Sequence, residues 1–485
     1  MDDGTRAQIV RVGSRLAAAV LGVALVATLY GAIVDIHLRP LDGVEGAILF
    51  EASRIRAHLP LYVDPVVGAH EYGAIPARYY VLYPPVWSWM VSLLPETHAA
   101  VLARSFSVLA WWGLLAVIAA RASKASRGIA LAAAAFVGAV FMFAEFGATA
   151  RPDPLALLLA GLAIERTVRR ARLDSLAGAL FALAVWVKPN VLGMAAGVFL
   201  LTIARSPRRA LAPIGAALGV SAVVVAVLQV ASSGAWLAHL VRSTGQPLHP
   251  ILLWSHRNYL QFFAVYLLVA AWLGWRAREG VARDRALLGL AALGSSVGWC
   301  MLTLSKIGGA PNYVMEPCVA AAVLYAHLPV PAMSSRMAAA FGVLVPFQAL
   351  WTCVGSVRST FEALEQNAAH SGLVATARQI CGAGPLGLVV SDEPGTEMTL
   401  DGRLVVHPFM LTHLSLRGEY PLGPWLADLA RPEIACVVVR HDRIERPLSQ
   451  YDFNYDYFAL PVRDALNRRF VRMAEADGWV VYGPR

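Results

Sequence analysis

Charge is scarce in this sequence. Asp, Glu, Lys and Arg make up 15% of the 485 residues, against 58% hydrophobic, where soluble domains carry about 25% charged residues. That deficit excludes an ordinary soluble domain. Cysteine is sparse too, at five residues, and neither the cysteines nor the histidines have metal-ligand spacing, so no metal site is expected. Cys300, Cys318 and Cys353 lie in apolar runs and read as packing residues. Cys381 and Cys436 lie in the C-terminal region and can pair if that region meets an oxidising compartment. The first apolar run has no small-residue cleavage site and is long enough to span, so it reads as an anchor that stays in place. No repeat relates the two halves, which weighs against a secondary transporter.

What the sequence has in quantity is apolar runs, which recur from the N-terminus to about residue 354. They predict a polytopic α-helical membrane protein with about 11–13 hydrophobic helices. The net charge is +9, but its arginines gather in short loops such as "RASKASR" (Arg121–Arg127), "RTVRRAR", "RSPRR" and "RAREGVARDR". Clusters of that kind mark cytoplasmic loops rather than a nucleic-acid surface. Arg6, Arg11 and Arg15 precede the span Leu16–Val34, which places the N-terminus inside and the next segment outside.

That next segment, Asp35–Pro85, is too polar to cross and too long for a turn, and long connections of this kind are usually functional or disordered. Its Tyr, Pro and paired charges favour order. Val44, Ile48, Ala52, Ile55 and Leu59 form a helical stripe with Glu51, Arg54 and His58 beside it, predicting a helix on the membrane interface. Tyr79, Tyr80, Tyr83, Trp87 and Trp89 read as an aromatic belt. The run Pro84–Leu94 is short for a crossing, and if it crossed, the later basic loops would fall outside, so a non-spanning element is expected. Further spans follow, from Ser105–Ala120 and Gly128–Phe143 through to Met337–Val354.

After residue 354 the runs "LGLVVSDEP", "RLVVHPF", "IACVVVRHD" and "GWVVYGP" alternate with helix-compatible stretches. They predict a small α/β domain over 355–485, placed outside with the 35–85 loop by an odd number of spans. His407, His413 and His441 read as its solvated surface.

The expected topology gathers most of the ionisable residues near the spans on one face, where such residues default to functional candidates. Each also has a plain structural role to weigh. Asp42 and Glu45 fit D-x-x-E, a capping box for the following helix. Asp153 before Pro154 fits an N-cap with Pro at the first helical position. Lys188 in "WVKPN" can snorkel, and Asn312 can cap the span that starts at Tyr313. Glu316 lies a turn inside an apolar run and needs a partner, for which Lys306 is the nearest basic residue in sequence. Glu145, Arg151, His249, His256 and Arg257 complete the set.

The order of these features resembles the GT-C superfamily of membrane glycosyltransferases, and in particular bacterial relatives of protein O-mannosyltransferases and aminoarabinose transferases. The matching items are acidic residues soon after the first span (Asp42, Glu45), "LPLYVDP", "YPP", "RPD" before a span, "KP" ending another, and "GGAPNYVMEP". Many such relatives have adjacent Asp-Glu, whereas Gly43 and Val44 separate the pair here. The resemblance covers roughly Leu16 to Val354, a catalytic transmembrane domain of residues 1–354. It implies transfer of a sugar from a polyprenyl-phosphate donor to a hydroxyl acceptor on the extracytoplasmic face of a bacterial inner membrane, without metal or other cofactor. The site residues it implies are Asp42 and Glu45 for catalysis, with Arg151, Asp153, Lys188, Arg257, Lys306, Asn312, Tyr313 and Glu316 binding the substrate. A carboxylate can serve as the base for a hydroxyl acceptor, and Arg or Lys can stabilise a departing phosphate. No Gly-rich phosphate loop precedes the membrane part, which favours a lipid donor over a nucleotide sugar. A transporter or flippase of a lipid-linked glycan, or a non-catalytic assembly subunit, are the competing readings.

Overall fold

The computed structural model describes residues 3–70, 75–124, 126–277, 282–329, 335–382, 387–440, 457–476 and 478–485. The chain divides into two compact units. One comprises Met1–Ile36, Arg104–Val225 and Leu248–Ala363; the other comprises His37–Ala103, Ala226–Pro247 and Leu364–Arg485.

The first unit is helical and built for a bilayer. Among the described residues, five helices overlapping it are long and apolar enough to cross: Arg15–Leu38, Glu96–Ala120, Pro207–Ser232, Arg257–Arg276 and Arg283–Leu304. Arg127–Ala139, Ser175–Val187 and Pro189–Arg205 are shorter apolar helices. Small residues let them pack backbone to backbone. A Cβ on Gly197 would lie 2.1 Å from the carbonyl oxygen of Ala291, so no side chain fits between the helices Gly193–Arg205 and Arg283–Leu304.

Two predicted spans differ from the helices observed. Gly128–Phe143 is interrupted: one helix ends at Ala139, Val140 is extended, and another helix runs Phe141–Gly147. The break survives because hydroxyls from other helices take the released carbonyls. Thr28 Oγ1 donates to Gly138 O at 3.5 Å and Ser356 Oγ donates to Ala139 O, as a membrane interior requires. Met337–Val354 is instead part of one helix, Ser335–Cys381. The stretch after Val354 is polar but holds no proline, so nothing stops the helix until Gly382 at φ +83°.

The second unit has a four-stranded mixed sheet: β1 (Leu388–Ser391), β2 (Ile434–Arg440), β3 (Phe470–Ala476) and β4 (Trp479–Pro484). Its order is β1-β2-β4-β3, with β1 parallel to β2 and the other pairs antiparallel. A disulfide joins Cys381 to Cys436 on β2. Three of the four predicted β-rich runs become strands. The fourth, around Val405, makes only a bridge between Val406 and Arg78. β3 was not legible because, as an edge strand, it keeps mostly exposed or half-exposed side chains.

His407 and His413 are buried, not solvated, at 4% and 1% exposure. His407 caps the helix Pro408–Leu416, and that helix carries His413 into the core against Phe409. Burial pushes both imidazoles down to about 4. His441 lies outside the described residues.

The first-loop helix, Gly43–Arg56, is also a core element rather than an interfacial one. Glu45, Glu51 and Arg54 are buried on it together with Ile48, Phe50 and Ala52, whereas Leu59 is exposed. Charged residues are tolerated inside because each finds a partner. Ser88 Oγ donates to Glu51 at 2.5 Å, and Arg54 donates to Pro60 O at 2.6 and 2.9 Å. Tyr79, Tyr80 and Trp87 are buried in this unit too, so they are core and not a belt. The run Pro84–Leu94 yields only the helix Val86–Ser92. Seven residues reach about 10 Å, far short of a hydrocarbon core of about 30 Å.

Candidate functional site

In the loop unit the D-x-x-E pattern closes a capping box. Asp42 Oδ1 accepts from Val44 N and Glu45 N, both at 2.8 Å, and Glu45 Oε2 accepts from Asp42 N at 3.2 Å. Asp42 is half-buried and Glu45 is fully buried. The start of this helix is gripped by the segment after β1. A Cβ on Gly46 would lie 2.3 Å from Gly395 N, and one on Gly395 would lie 2.0 Å from Leu41 O. Only glycine at both positions lets the two backbones cross so closely.

The crossing brings in a carboxylate that the sequence did not single out. Glu393 Oε2 lies 2.8 Å from where a Gly43 Cβ would be, and Glu393 Oε1 is 3.4 Å from Arg440. Asp42, Glu45 and Glu393 therefore share one helix start. The available signal was "SDEP", an acidic pair before a proline at the end of a β-rich run. Deeper in this unit, Glu397 accepts from the backbone N–H groups of Ser391, Val405 and Val406 at 2.8, 2.6 and 3.2 Å. Burial raises its carboxyl well above the usual range. Burial also pushes Glu51 up to about 8, against the opposing effect of its Ser88 hydrogen bond.

In the membrane unit, four predicted residues come together from three segments. Asp153 Oδ1 accepts from Lys188 Nζ at 2.5 Å and from Asn312 Nδ2. Lys188 Nζ also lies 5.7 Å from the Tyr313 ring centroid, a cation–π contact. Asp153 does not act as the helix cap expected of it: Pro152 occupies that position, and no side chain caps the helix. Lys188 does not snorkel, with only 1% of its surface exposed. Extended backbone at Lys188 before Pro189 ends one helix and turns the side chain into the unit.

Asp153 and Lys188 make a neutral pair, and two oxygens remain. Asp153 Oδ2 and Asn312 Oδ1 are buried without a hydrogen-bond partner among the described residues. Both are acceptors, so whatever completes the cluster must bring O–H or N–H donors.

The other candidates have separate engagements. The buried Glu316 carboxyl accepts from Met194 N at 2.6 Å, at the start of the helix Gly193–Arg205, where the first backbone N–H groups have no partner within the helix. Backbone thus answers the need for which Lys306 was the candidate. Lys306 is half-buried beside a backbone bridge to Leu248, and desolvation lowers its ammonium. Arg151 lies 5.1 Å from the Phe146 ring centroid. Arg257 stacks on Trp254 at 4.3 Å and donates to its carbonyl at 2.8 Å. His256 is buried against Leu304 O, and His249 N donates to Ser305 O.

No family model and no curated protein sequence matches this chain. Solved structures do. ArnT from Cupriavidus metallidurans bound to undecaprenyl phosphate matches with a TM-score of 0.57 at 13% identity, over 95% of this chain and 97% of that one. The same protein in the apo state gives 0.55 at 14% identity, over 95% and 96%. At such identity the likeness is one of fold: this chain shares with ArnT a fold of long apolar helices followed by a small C-terminal sheet.

Proposed function

We propose that this protein is a membrane glycosyltransferase that moves a sugar from a polyprenyl-phosphate donor to a hydroxyl acceptor on the extracytoplasmic face of a bacterial inner membrane. The observation that carries the reading is the fold shared along 95% of the chain with a protein crystallised on undecaprenyl phosphate. The residues fit the chemistry. Asp42 is the general base: it takes the acceptor proton as the acceptor oxygen bonds to the anomeric carbon, and the bond from that carbon to the phosphate oxygen breaks. The electron pair leaves with the polyprenyl phosphate. Glu45 fixes the Asp42 backbone through the capping box. Arg151 and Lys306 suit the leaving phosphate. Lys188 is already neutralised by Asp153, so this cluster suits the sugar instead, where hydroxyl groups supply the donors that Asp153 Oδ2 and Asn312 Oδ1 lack. The Cys381–Cys436 disulfide favours an oxidising compartment for the sheet domain.

The test is a panel of polyprenyl-phosphate sugars presented to the purified protein in liposomes. The expected result is release of polyprenyl phosphate with one member of the panel. Donor that crosses the bilayer unchanged, with no release from any member, would replace this reading by a flippase.

A further inference from the structure

The membrane unit contains a second feature, which none of the polar candidates uses. An apolar crevice of about 210 Å³ opens between its helices, lined among others by Leu21, Ile129, Phe136, Val265, Leu273 and Tyr325. The polar atoms along it are turned into backbone. Tyr325 OH donates to Tyr266 O at 2.7 Å, Tyr266 OH donates to Cys318 O at 3.4 Å, and Gln348 Nε2 donates to Phe262 O at 3.2 Å. The crevice therefore suits hydrocarbon.

Its place along the helices is set by sequence. Arg15 comes shortly before Leu21, Arg127 comes just before Ile129, and Arg276 comes just after Leu273. Thr28 meets Gly138, and Phe136 packs against Phe262 and Tyr266, so the three helices carry these arginines at the same end of the crevice. All three arginines are exposed, and none forms a hydrogen bond or ion pair among the described residues. From Arg127 to Phe136 the helix climbs about 13 Å, close to half of a hydrocarbon core of about 30 Å. The crevice has the depth of one leaflet and a basic rim where headgroups lie. Basic residues in that position attract anionic headgroups.

We propose that this crevice binds one acyl chain of an anionic bilayer phospholipid, whose phosphate is met by Arg15, Arg127 and Arg276. A polyprenyl chain is less suited, because the crevice stops near mid-bilayer depth. The site lies at the arginine-bearing helix ends and stands independently of the glycosyltransferase reading.

Delipidated full-length protein in detergent is titrated with phosphatidylglycerol, with phosphatidylcholine of the same chains, and with undecaprenyl phosphate. Binding is read by native mass spectrometry and thermal shift. One phosphatidylglycerol is expected to bind and to raise Tm more than phosphatidylcholine does. Ala133→Phe fills the crevice and should abolish that binding. The surface triple variant Arg15→Gln/Arg127→Gln/Arg276→Gln keeps the crevice intact and should weaken phosphatidylglycerol about 100-fold. Equal binding of both phospholipids, displacement of phosphatidylglycerol by undecaprenyl phosphate, or wild-type affinity in the triple variant would each overturn the proposal.

Discussion

The two polar clusters, Asp42–Glu45 and Asp153–Lys188–Asn312, are made in opposite ways. The first is local: its two acids sit three residues apart and satisfy each other's backbone through a single helical turn. The second is assembled across 35 and 159 residues of chain. A local box is cheap to lose, with a capping residue contributing about 1 kcal/mol. A buried ion pair is not, because removing one member strands the other's charge, at about 3–5 kcal/mol. The same residue types therefore make the first cluster a small contributor to stability while the second is bound into the unit's integrity.

The largest effect that sharpens this contrast comes from Lys188→Met. It should destabilise by about 3–5 kcal/mol, and Asp153→Asn in the same chain should restore more than half of the loss. Thermal unfolding in detergent gives the double-mutant cycle; independent, additive effects would mean that the pair is not a unit. Asp42→Asn probes the other side. Asparagine caps nearly as well as aspartate, so stability should fall by no more than about 1 kcal/mol, while transfer should drop about 100-fold or more. Near-normal transfer by this variant, with Glu45→Gln inactive, would move the base to Glu45.

A third test uses pH. Glu51 is held at about 8 when folded, above its unfolded value near 4.5, so the folded protein binds the extra proton between those limits. The stabilisation from this group is complete below about 4.5 and is lost as pH rises to about 8, on the order of 1 kcal/mol per pH unit. Glu51→Gln should flatten Tm between pH 5 and 8; an unchanged slope would assign it elsewhere. The smallest effect is expected from Glu316→Gln. An amide can still accept from Met194 N, so stability should change by no more than about 1 kcal/mol. Transfer per folded molecule should stay within about twofold, and a greater loss would return Glu316 to the donor site.

The contrast between local and assembled features also decides what could be read beforehand. The Asp42–Glu45 box was legible because three residues of spacing determine it. Most membrane helices were legible from apolar runs, as was the short non-spanning element at Pro84–Leu94. The sheet was legible where its strands are buried, in β1, β2 and β4, and illegible at β3, where the edge keeps side chains in water. The break at Val140 was hidden because its cause lies in Thr28 and Ser356, far off in sequence. The interfacial reading of Gly43–Arg56 failed for the same reason. Glu51 and Arg54 look amphipathic until Ser88 and Pro60 take them inside. The candidate list named Asp153, Lys188 and Asn312 individually but could not show that they meet, and it passed over Glu393, which only the Gly46–Gly395 crossing brings to Asp42.

That crossing has a consequence for how the protein is made. The helix that carries Asp42 is synthesised early, yet the backbone that clasps it is not translated until residue 395. The neighbouring ion pair, Arg78 with Asp428, waits 350 residues for completion. At about 5–20 residues per second, that is roughly 20–70 s on the ribosome. Throughout this interval the acidic loop has emerged without the segment that holds its first turn. A ribosome that stalls before residue 395 leaves the loop unclasped. The first turn of the Asp42 helix is therefore fastened only after residue 395 has been made.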